Sequence, residues 1–240
     1  MTFTTLIIDM KISVPVVILN YKTYKEATGQ FAMKLSAIAD NLSKNYKMSI
    51  VVAPQFVDIA AIAAKFKIPV FAQHVDPIAP GSNTGQVLPE SILAAGGIGT
   101  LLNHAERKLP YEILEETVTL IKKLDFKICI CAENLEVASK TAELEPDYVA
   151  FELPELIGTG NSISTTEPAL VESSVKQILD ANPKVIPLCG AGISNGEDVY
   201  AALKLGTQGV LLASAFTKAK DPEAVLRDLL EGAKKYLDEQ

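Results

Sequence analysis

A chain of 240 residues with a net charge of −7 has room for one large α/β domain or two small ones. Its 22 basic residues are scattered and form no basic stripe, which argues against a nucleic-acid partner, and its longest clean apolar run, residues 14–19, is far too short to span a membrane. Three cysteines and a start without a secretory signal lead us to expect a cytoplasmic protein with reduced thiols.

Short β-rich apolar segments recur along the chain, separated by segments whose apolar residues have helical spacing. The predicted strands are residues 14–20, 48–53, 69–73, 100–103, 127–131, 147–151, 184–189 and 209–213. The predicted helices are residues 31–46, 57–66, 88–95, 111–124, 134–143, 167–182, 196–203 and 222–237. Eight strands alternating with eight helices match the size of a (β/α)8 barrel.

A doubly wound open sheet is the competing α/β architecture. It usually has fewer strands and a glycine-rich turn after the first strand, whereas residues 20–24 read Asn-Tyr-Lys-Thr-Tyr. No linker or change in composition divides the chain. We therefore predict a single (β/α)8-barrel domain over residues 14–240, preceded by an N-terminal extension, residues 1–13, of unassigned role.

Cys129 and Cys131 lie close together in the predicted fifth strand, where they could form part of a metal site. The strand around them is apolar, and free cysteine usually behaves as a small buried hydrophobic residue. The chain has only two histidines, and no cluster of His and Cys has the spacing of metal ligands. We therefore expect both cysteines to pack in the core and predict no metal site.

Polar side chains follow several predicted strands, at the end of a barrel where functional groups collect. Asn20 and Lys22 end the first strand, His104 follows the fourth, and Glu152 ends the sixth. Lys22 offers a fixed positive charge for a developing oxyanion, His104 a hydrogen-bond donor or proton shuttle, and Glu152 a base. Taken alone, Glu152 fits a solvated charge at a strand exit equally well. The set as a whole suits proton abstraction beside a carbonyl group of a small phosphorylated substrate.

The loops after the last three strands favour phosphate binding beneath a lid. Gly190, Gly192, Ala213 and Ser214 are small, so backbone N–H groups there can approach an anion closely. The alternative is that these residues only make tight turns; the phosphate interpretation is favoured because two adjacent loops share the feature. Residues 152–160, with a proline near the start and glycines near the end, are typical of a hinged lid.

Four motifs in chain order resemble those of the triosephosphate isomerase family, and the resemblance covers nearly the whole chain from residue 14 onward. They are Asn-x-Lys at residues 20–22, Thr-Gly at residues 84–85, His-Ala-Glu-Arg at residues 104–107, and the lid at residues 152–160. The resemblance implies a TIM barrel that interconverts dihydroxyacetone phosphate and D-glyceraldehyde 3-phosphate through an enediolate. It implies no metal and no organic cofactor, and a place in glycolysis and gluconeogenesis.

Carried over motif by motif, the resemblance implies a role for each site residue. Glu152 is the base that moves the proton, His104 polarises the carbonyl group, Lys22 offsets negative charge, and Asn20 helps to bind the substrate. The substrate and its phosphate group are bound by Asn20, Lys22, Ile157, Gly158, Gly192, Ala213 and Ser214.

The sequence departs from the commoner family pattern in its loops. Ala105 stands where serine is usual, and Glu155 stands in a lid that often carries an aromatic residue. These features resemble the compact archaeal branch, whose members often assemble as tetramers from dimers, so we expect a homo-oligomer, more specifically a homotetramer. In family dimers the loop containing Thr84 reaches toward the partner's active site.

Two other functions stay open from the residues alone. Another phosphate-binding barrel isomerase or epimerase usually relies on acidic or metal-linked pairs at strand ends, which we cannot place in this sequence. A non-catalytic barrel used for binding or assembly is disfavoured by the intact set of polar residues at strand ends. For the remaining polar residues, we expect Glu106 to form an ion pair with Lys22 and His74 to have a structural or interface role.

Overall fold

The computed structural model describes residues 11–240. Parallel β-strands form a single sheet of eight strands in the order β2-β1-β8-β7-β6-β5-β4-β3. These are β1 (Val16–Asn20), β2 (Ser49–Ala53), β3 (Phe71–Ala72), β4 (Gly99–Leu102), β5 (Lys127–Ala132), β6 (Tyr148–Phe151), β7 (Ile186–Gly190) and β8 (Gly209–Leu212). The two ends of this order meet at a parallel bridge between Val52 and Val70, where the Val52 N–H donates to the Pro69 carbonyl at 3.0 Å. The sheet is thus closed into the predicted barrel.

Helices follow the strands as predicted, with two short additions. They are α1 (Gln30–Tyr46), α2 (Phe56–Lys65), α3 (Pro89–Ala94), α4 (Tyr111–Ile121), α5 (Leu135–Glu143), α6 (Ile163–Thr166), α7 (Pro168–Ala181), α8 (Gly196–Lys204), α9 (Ser214–Thr217) and α10 (Pro222–Asp238). Helices α6 and α9 were not predicted as separate elements, because four residues are too few to show helical periodicity.

The starts of several helices are fixed by side-chain caps. Asn134, Asn195 and Asp221 each accept a hydrogen bond from the backbone N–H three residues later. These bonds satisfy N–H groups that have no partner inside the helix. Helices α7 and α10 each begin with a proline, Pro168 and Pro222, a residue that fits the first turn because no N–H is needed there.

The core has two layers, and alternate residues of each strand point into one or the other. Along β1, Val16 and Ile18 face the barrel interior, whereas Val17 and Leu19 pack between the sheet and the helices. Cys129 and Cys131 belong to the interior layer, and burial raises the pKa of both thiols well above the ordinary value. The prediction that these cysteines pack in the core is confirmed.

Part of the predicted N-terminal extension, residues 1–10, lies outside the described residues. In the described remainder, Ile12 packs against the interior layer and the Ser13 N–H donates to the Ser49 hydroxyl at 2.8 Å. These contacts lie at the end of the barrel where the strands begin. Within residues 11–240, no helix is both long enough and apolar enough to cross a membrane.

His74 helps to close the base of an exposed loop after β3. Its Nε2 atom lies 2.9 Å from Oδ1 of Asp76, and Oδ2 of Asp76 accepts a hydrogen bond from the Val87 N–H at 2.6 Å. The Asp76 N–H in turn donates to the Val87 carbonyl at 2.9 Å. Burial lowers the pKa of His74, so its imidazole is favoured in the neutral form. This histidine therefore braces a loop, residues 77–86, and does not line the cavity described below.

Candidate active site

A cavity of about 250 Å³ opens at the end of the barrel where the strands finish. Four of the predicted polar residues line it, namely Asn20, Lys22, His104 and Glu152. The loops that follow β6, β7 and β8 form most of the rest of its wall. This is the end of the fold at which barrel enzymes place their active sites.

Lys22 is held rigidly although it carries a long side chain. Its backbone has a left-handed φ of 48°, its N–H donates to Oδ1 of Asn20 at 2.9 Å, and its carbonyl accepts a hydrogen bond from Gln73 at 2.8 Å. The ammonium group lies 2.8 Å from Oε1 of Glu106. The predicted pairing of Lys22 with Glu106 is confirmed, and it fixes a positive charge beside the cavity.

His104 is oriented by the turn that follows β4. Asn103 adopts a left-handed φ of 56°, a conformation that asparagine tolerates, and its side chain bonds both the Cys131 carbonyl and the Leu109 N–H at 3.0 Å. The Glu106 N–H donates to Nδ1 of His104 at 3.1 Å. Because Nδ1 is an acceptor, the proton of the neutral imidazole lies on Nε2. The side chain thus presents an N–H donor to the cavity.

Glu152 directly follows the last residue of β6, and it is buried, with 5% of its surface exposed. Its Oε2 atom lies 3.8 Å from Nε2 of His104, and no group among the described residues makes a hydrogen bond to it. A buried polar atom without a partner costs about 1–3 kcal/mol, and more when it is charged. Because Glu152 lines the cavity, a ligand bound there could give the carboxylate a partner.

Gly190, the last residue of β7, provides the space that Glu152 occupies. A Cβ atom at this position would lie 2.7 Å from Oε1 of Glu152 and would also overlap the rest of its carboxyl group. The contact is with a side chain and not with backbone, so an added methyl group would displace Glu152 while leaving the strand in place.

We therefore expect Gly190→Ala to lower kcat by about 10- to 100-fold, since a displacement of about 1 Å in a reacting group has an effect of that size. Circular dichroism and thermal unfolding should report an intact barrel. Gly190→Ser provides a graded comparison and should be at least as impaired. Full activity in both variants would show that the position of Glu152 does not depend on this gap.

The remaining predicted residues line the same cavity. Ile157 and Gly158 come from the loop after β6, and Ala213 and Ser214 come from the start of α9. Gly192 has a φ of 75°, and a Cβ atom there would overlap the Asn161 carbonyl, so only glycine fits between the two loops. The Gly192 N–H has no acceptor among the described residues.

Sequence reasoning missed several residues of the wall. Tyr24 belongs to the same loop as Asn20 and Lys22, but an aromatic residue after a strand gave no specific signal. Ser194 also lines the cavity, and both its N–H and its hydroxyl donate to Oδ2 of Asp198 at 2.9 Å. Glu155, by contrast, is exposed and does not line the cavity. Within residues 11–240, no group of three or more His, Cys, Asp or Glu side chains is arranged to hold a metal ion.

A closed parallel barrel, with a carboxylate, an imidazole N–H and an ammonium group around one cavity at the ends of its strands, defines a (β/α)8-barrel enzyme equipped for proton transfer. Comparison with known proteins identifies the family within this class of enzymes. The family model described as triosephosphate isomerase matches residues 15–231. The chain belongs to the triosephosphate isomerase family, and it is an isomerase.

Relatives from methanogens agree with this assignment. A triosephosphate isomerase of Methanosarcina barkeri is 46% identical over 216 residues, which is 90% of this chain and 97% of the relative. Those of Methanobrevibacter smithii and Methanocaldococcus jannaschii are each 45% identical, over 90% of this chain and 97% and 98% of the relatives. The resemblance to the archaeal branch is thereby confirmed.

Proposed function

We propose that Glu152 is the base with which this chain carries out the reaction of its family, the interconversion of dihydroxyacetone phosphate and D-glyceraldehyde 3-phosphate through an enediolate. The observation that carries the proposal is the unpartnered Oε2 of Glu152, buried in the cavity wall 3.8 Å from the His104 Nε2 atom. A base needs fixed geometry and an open lone pair, and this carboxylate has both.

In the proposed mechanism, the Glu152 carboxylate removes a proton from the carbon beside the carbonyl group. The electron pair of that C–H bond moves toward the carbonyl oxygen, which gains negative charge. The Nε2–H of His104 donates a hydrogen bond to this oxygen, and the ammonium group of Lys22 stabilises its charge. Asn20 keeps its amide nitrogen for the substrate, because its oxygen accepts the Lys22 N–H. In the enediolate, the hydroxyl proton on the first carbon passes to the former carbonyl oxygen, so the negative charge moves to the other oxygen. Glu152 then returns its proton to the former carbonyl carbon, and a new carbonyl group forms at the first carbon, which gives the isomer.

We assign the phosphate group to the part of the wall formed by the loops after β6, β7 and β8. Gly192 contributes its unpaired N–H, and the short side chains of Ala213 and Ser214 leave the backbone accessible to an anion. Ile157 and Gly158 belong to the proposed lid and line the same cavity. This arrangement supports a small phosphorylated triose as the substrate, bound by side chains and backbone groups alone.

The experiment that tests the function is a coupled assay of the purified protein with D-glyceraldehyde 3-phosphate. Turnover that is abolished by Glu152→Gln supports the proposal. Turnover of a different sugar phosphate, but not of this one, would favour another phosphate-binding barrel isomerase or epimerase. No turnover of any sugar phosphate would favour a non-catalytic barrel.

We also propose a cytoplasmic enzyme of glycolysis and gluconeogenesis whose barrel domain spans residues 14–240, with residues 1–13 as an extension. We propose that it is a homo-oligomer, a dimer or more specifically a tetramer. Phe56 and Val57 in the first turn of α2 support this, because both are exposed, Val57 to 81%. The exposed loop of residues 77–86, which contains Thr84, follows the neighbouring strand and offers a partner segment for that apolar surface.

Sedimentation velocity tests the assembly. The protein should sediment as a multiple of the monomer mass, and Val57→Asp should shift it toward the monomer by placing a charge in the contact. Leu237→Asp is the matched control, because Leu237 is an exposed apolar residue, to 43%, near the end of α10. A native protein that sediments as a monomer would contradict the proposal.

A further inference from the structure

The charges around the cavity do not by themselves suit a substrate that carries two negative charges. Lys22 is the positive side chain in the wall, and it is already paired with Glu106. Glu152 adds a second carboxylate, so these three side chains leave a surplus of one negative charge. The whole chain adds a net charge of −7, which repels an anion at long range. Another positive group near the phosphate wall would favour capture of this substrate.

Lys218 lies just beyond that wall. It follows α9, and its N–H donates to the carbonyl of Ser214, one of the residues assigned to phosphate binding, at 3.0 Å. Its ammonium nitrogen lies 3.9 Å from the centre of the Tyr24 ring, and Tyr24 is itself part of the cavity wall. A cation over the face of an aromatic ring at this distance is attracted by the electrons of the ring.

Lys218 differs from Lys22 in having no counter-charge. Among residues 11–240, no carboxylate lies within ion-pair distance of its ammonium group. The ring of Tyr24 limits where the side chain can go without neutralising it. The ring thus holds the Lys218 ammonium group in place, and the full positive charge of that group remains available to an anion.

We propose that Lys218 is a further substrate-binding residue, which attracts the phosphate dianion toward the wall formed by Gly192 and Ser214, and that Tyr24 positions it there. This inference rests on the proposed assignment of that wall to phosphate. With Lys218 included, the local side-chain charges balance before the substrate enters. The residue acts on capture and binding, and it takes no part in the proton transfer at Glu152.

The test compares Lys218→Met with Lys220→Met, which removes the same charge two residues later. Within residues 11–240, the Lys220 ammonium group makes no contact with an aromatic ring. At low ionic strength, kcat/KM for D-glyceraldehyde 3-phosphate should fall roughly fivefold in Lys218→Met, as expected for one charge acting on a dianion across about 8 Å of aqueous solvent. The difference should vanish at about 0.5 M salt, while kcat stays within about twofold. The inhibition constant of inorganic phosphate should rise by a similar factor. Lys220→Met should keep the native values.

Variants of Tyr24 test whether the effect of the Lys218 charge depends on its contact with the Tyr24 ring. Tyr24→Phe keeps the ring and should keep the native salt dependence of kcat/KM, whereas Tyr24→Leu should reduce it toward that of Lys218→Met. Native behaviour of Lys218→Met, or equal losses in Lys218→Met and Lys220→Met, would overturn the inference. If the inference about Lys218 fails but Glu152→Gln is inactive in the same assay, the proposed function still stands. If Glu152→Gln is fully active, the proposed function fails, whatever the result for Lys218.

Discussion

Glu152→Gln is expected to lower kcat by about 10²- to 10⁴-fold, with the barrel still folded. Glutamine has the same shape as glutamate but cannot accept the proton. The substitution also replaces the buried unpaired oxygen of Glu152, so stability should not fall and can rise. Steady-state kinetics in the coupled assay, together with thermal unfolding, measure both effects.

Glu155→Gln is the matched control for this experiment. It makes the same chemical change three residues later, at an exposed carboxylate outside the cavity. It should keep kcat close to that of the native protein. If Glu152→Gln retains near-native turnover, or if the two variants lose activity equally, Glu152 is not the base.

Lys22→Ala is expected to reduce kcat/KM by about 10²- to 10³-fold, because it removes the fixed charge beside the developing oxyanion and leaves Glu106 unpaired at the mouth of the cavity. Both effects disfavour an anionic substrate and an anionic intermediate. Isothermal titration with inorganic phosphate should show weaker binding in the same variant.

Lys25→Ala controls for the loss of one positive charge from the same loop, since Lys25 is 90% exposed and does not line the cavity. Its kcat/KM should stay near the native value. Retained activity in Lys22→Ala would move the charge-stabilising role to another group.

The order of strands and helices could be predicted because each element repeats a simple pattern of buried residues. In β1, four successive apolar residues bury both faces of the strand, as a parallel strand between two core layers requires. The third strand, predicted over residues 69–73, is shorter in the structure, where only Phe71 and Ala72 pair with β4 in register. Val70, which the prediction included in this strand, forms the bridge to Val52 that closes the barrel, a long-range contact that no local pattern reveals.

Within the candidate site, sequence reasoning found groups whose chemistry is visible in the residue type. A carboxylate or an ammonium group after a strand is conspicuous, so Glu152 and Lys22 could be singled out. The roles of Asn103 and Gly190 were not visible, because they depend on which backbone and side-chain atoms lie opposite in space. Tyr24 was overlooked for the same reason: its contacts with the cavity and with Lys218 join residues almost two hundred positions apart.

The alignment of β6 with β7 sets a length scale for the substrate. Phe151 and Cys189 are register partners, so Glu152 and Gly190 lie side by side at the strand ends. Only two peptide links separate Gly190 from Gly192, which limits the distance between their Cα atoms to about 7 Å. In the proposed assignment, this short stretch of main chain therefore limits the distance between the carbon that loses its proton and the phosphate group. Under that assignment, we expect a longer sugar phosphate to require an insertion after β7.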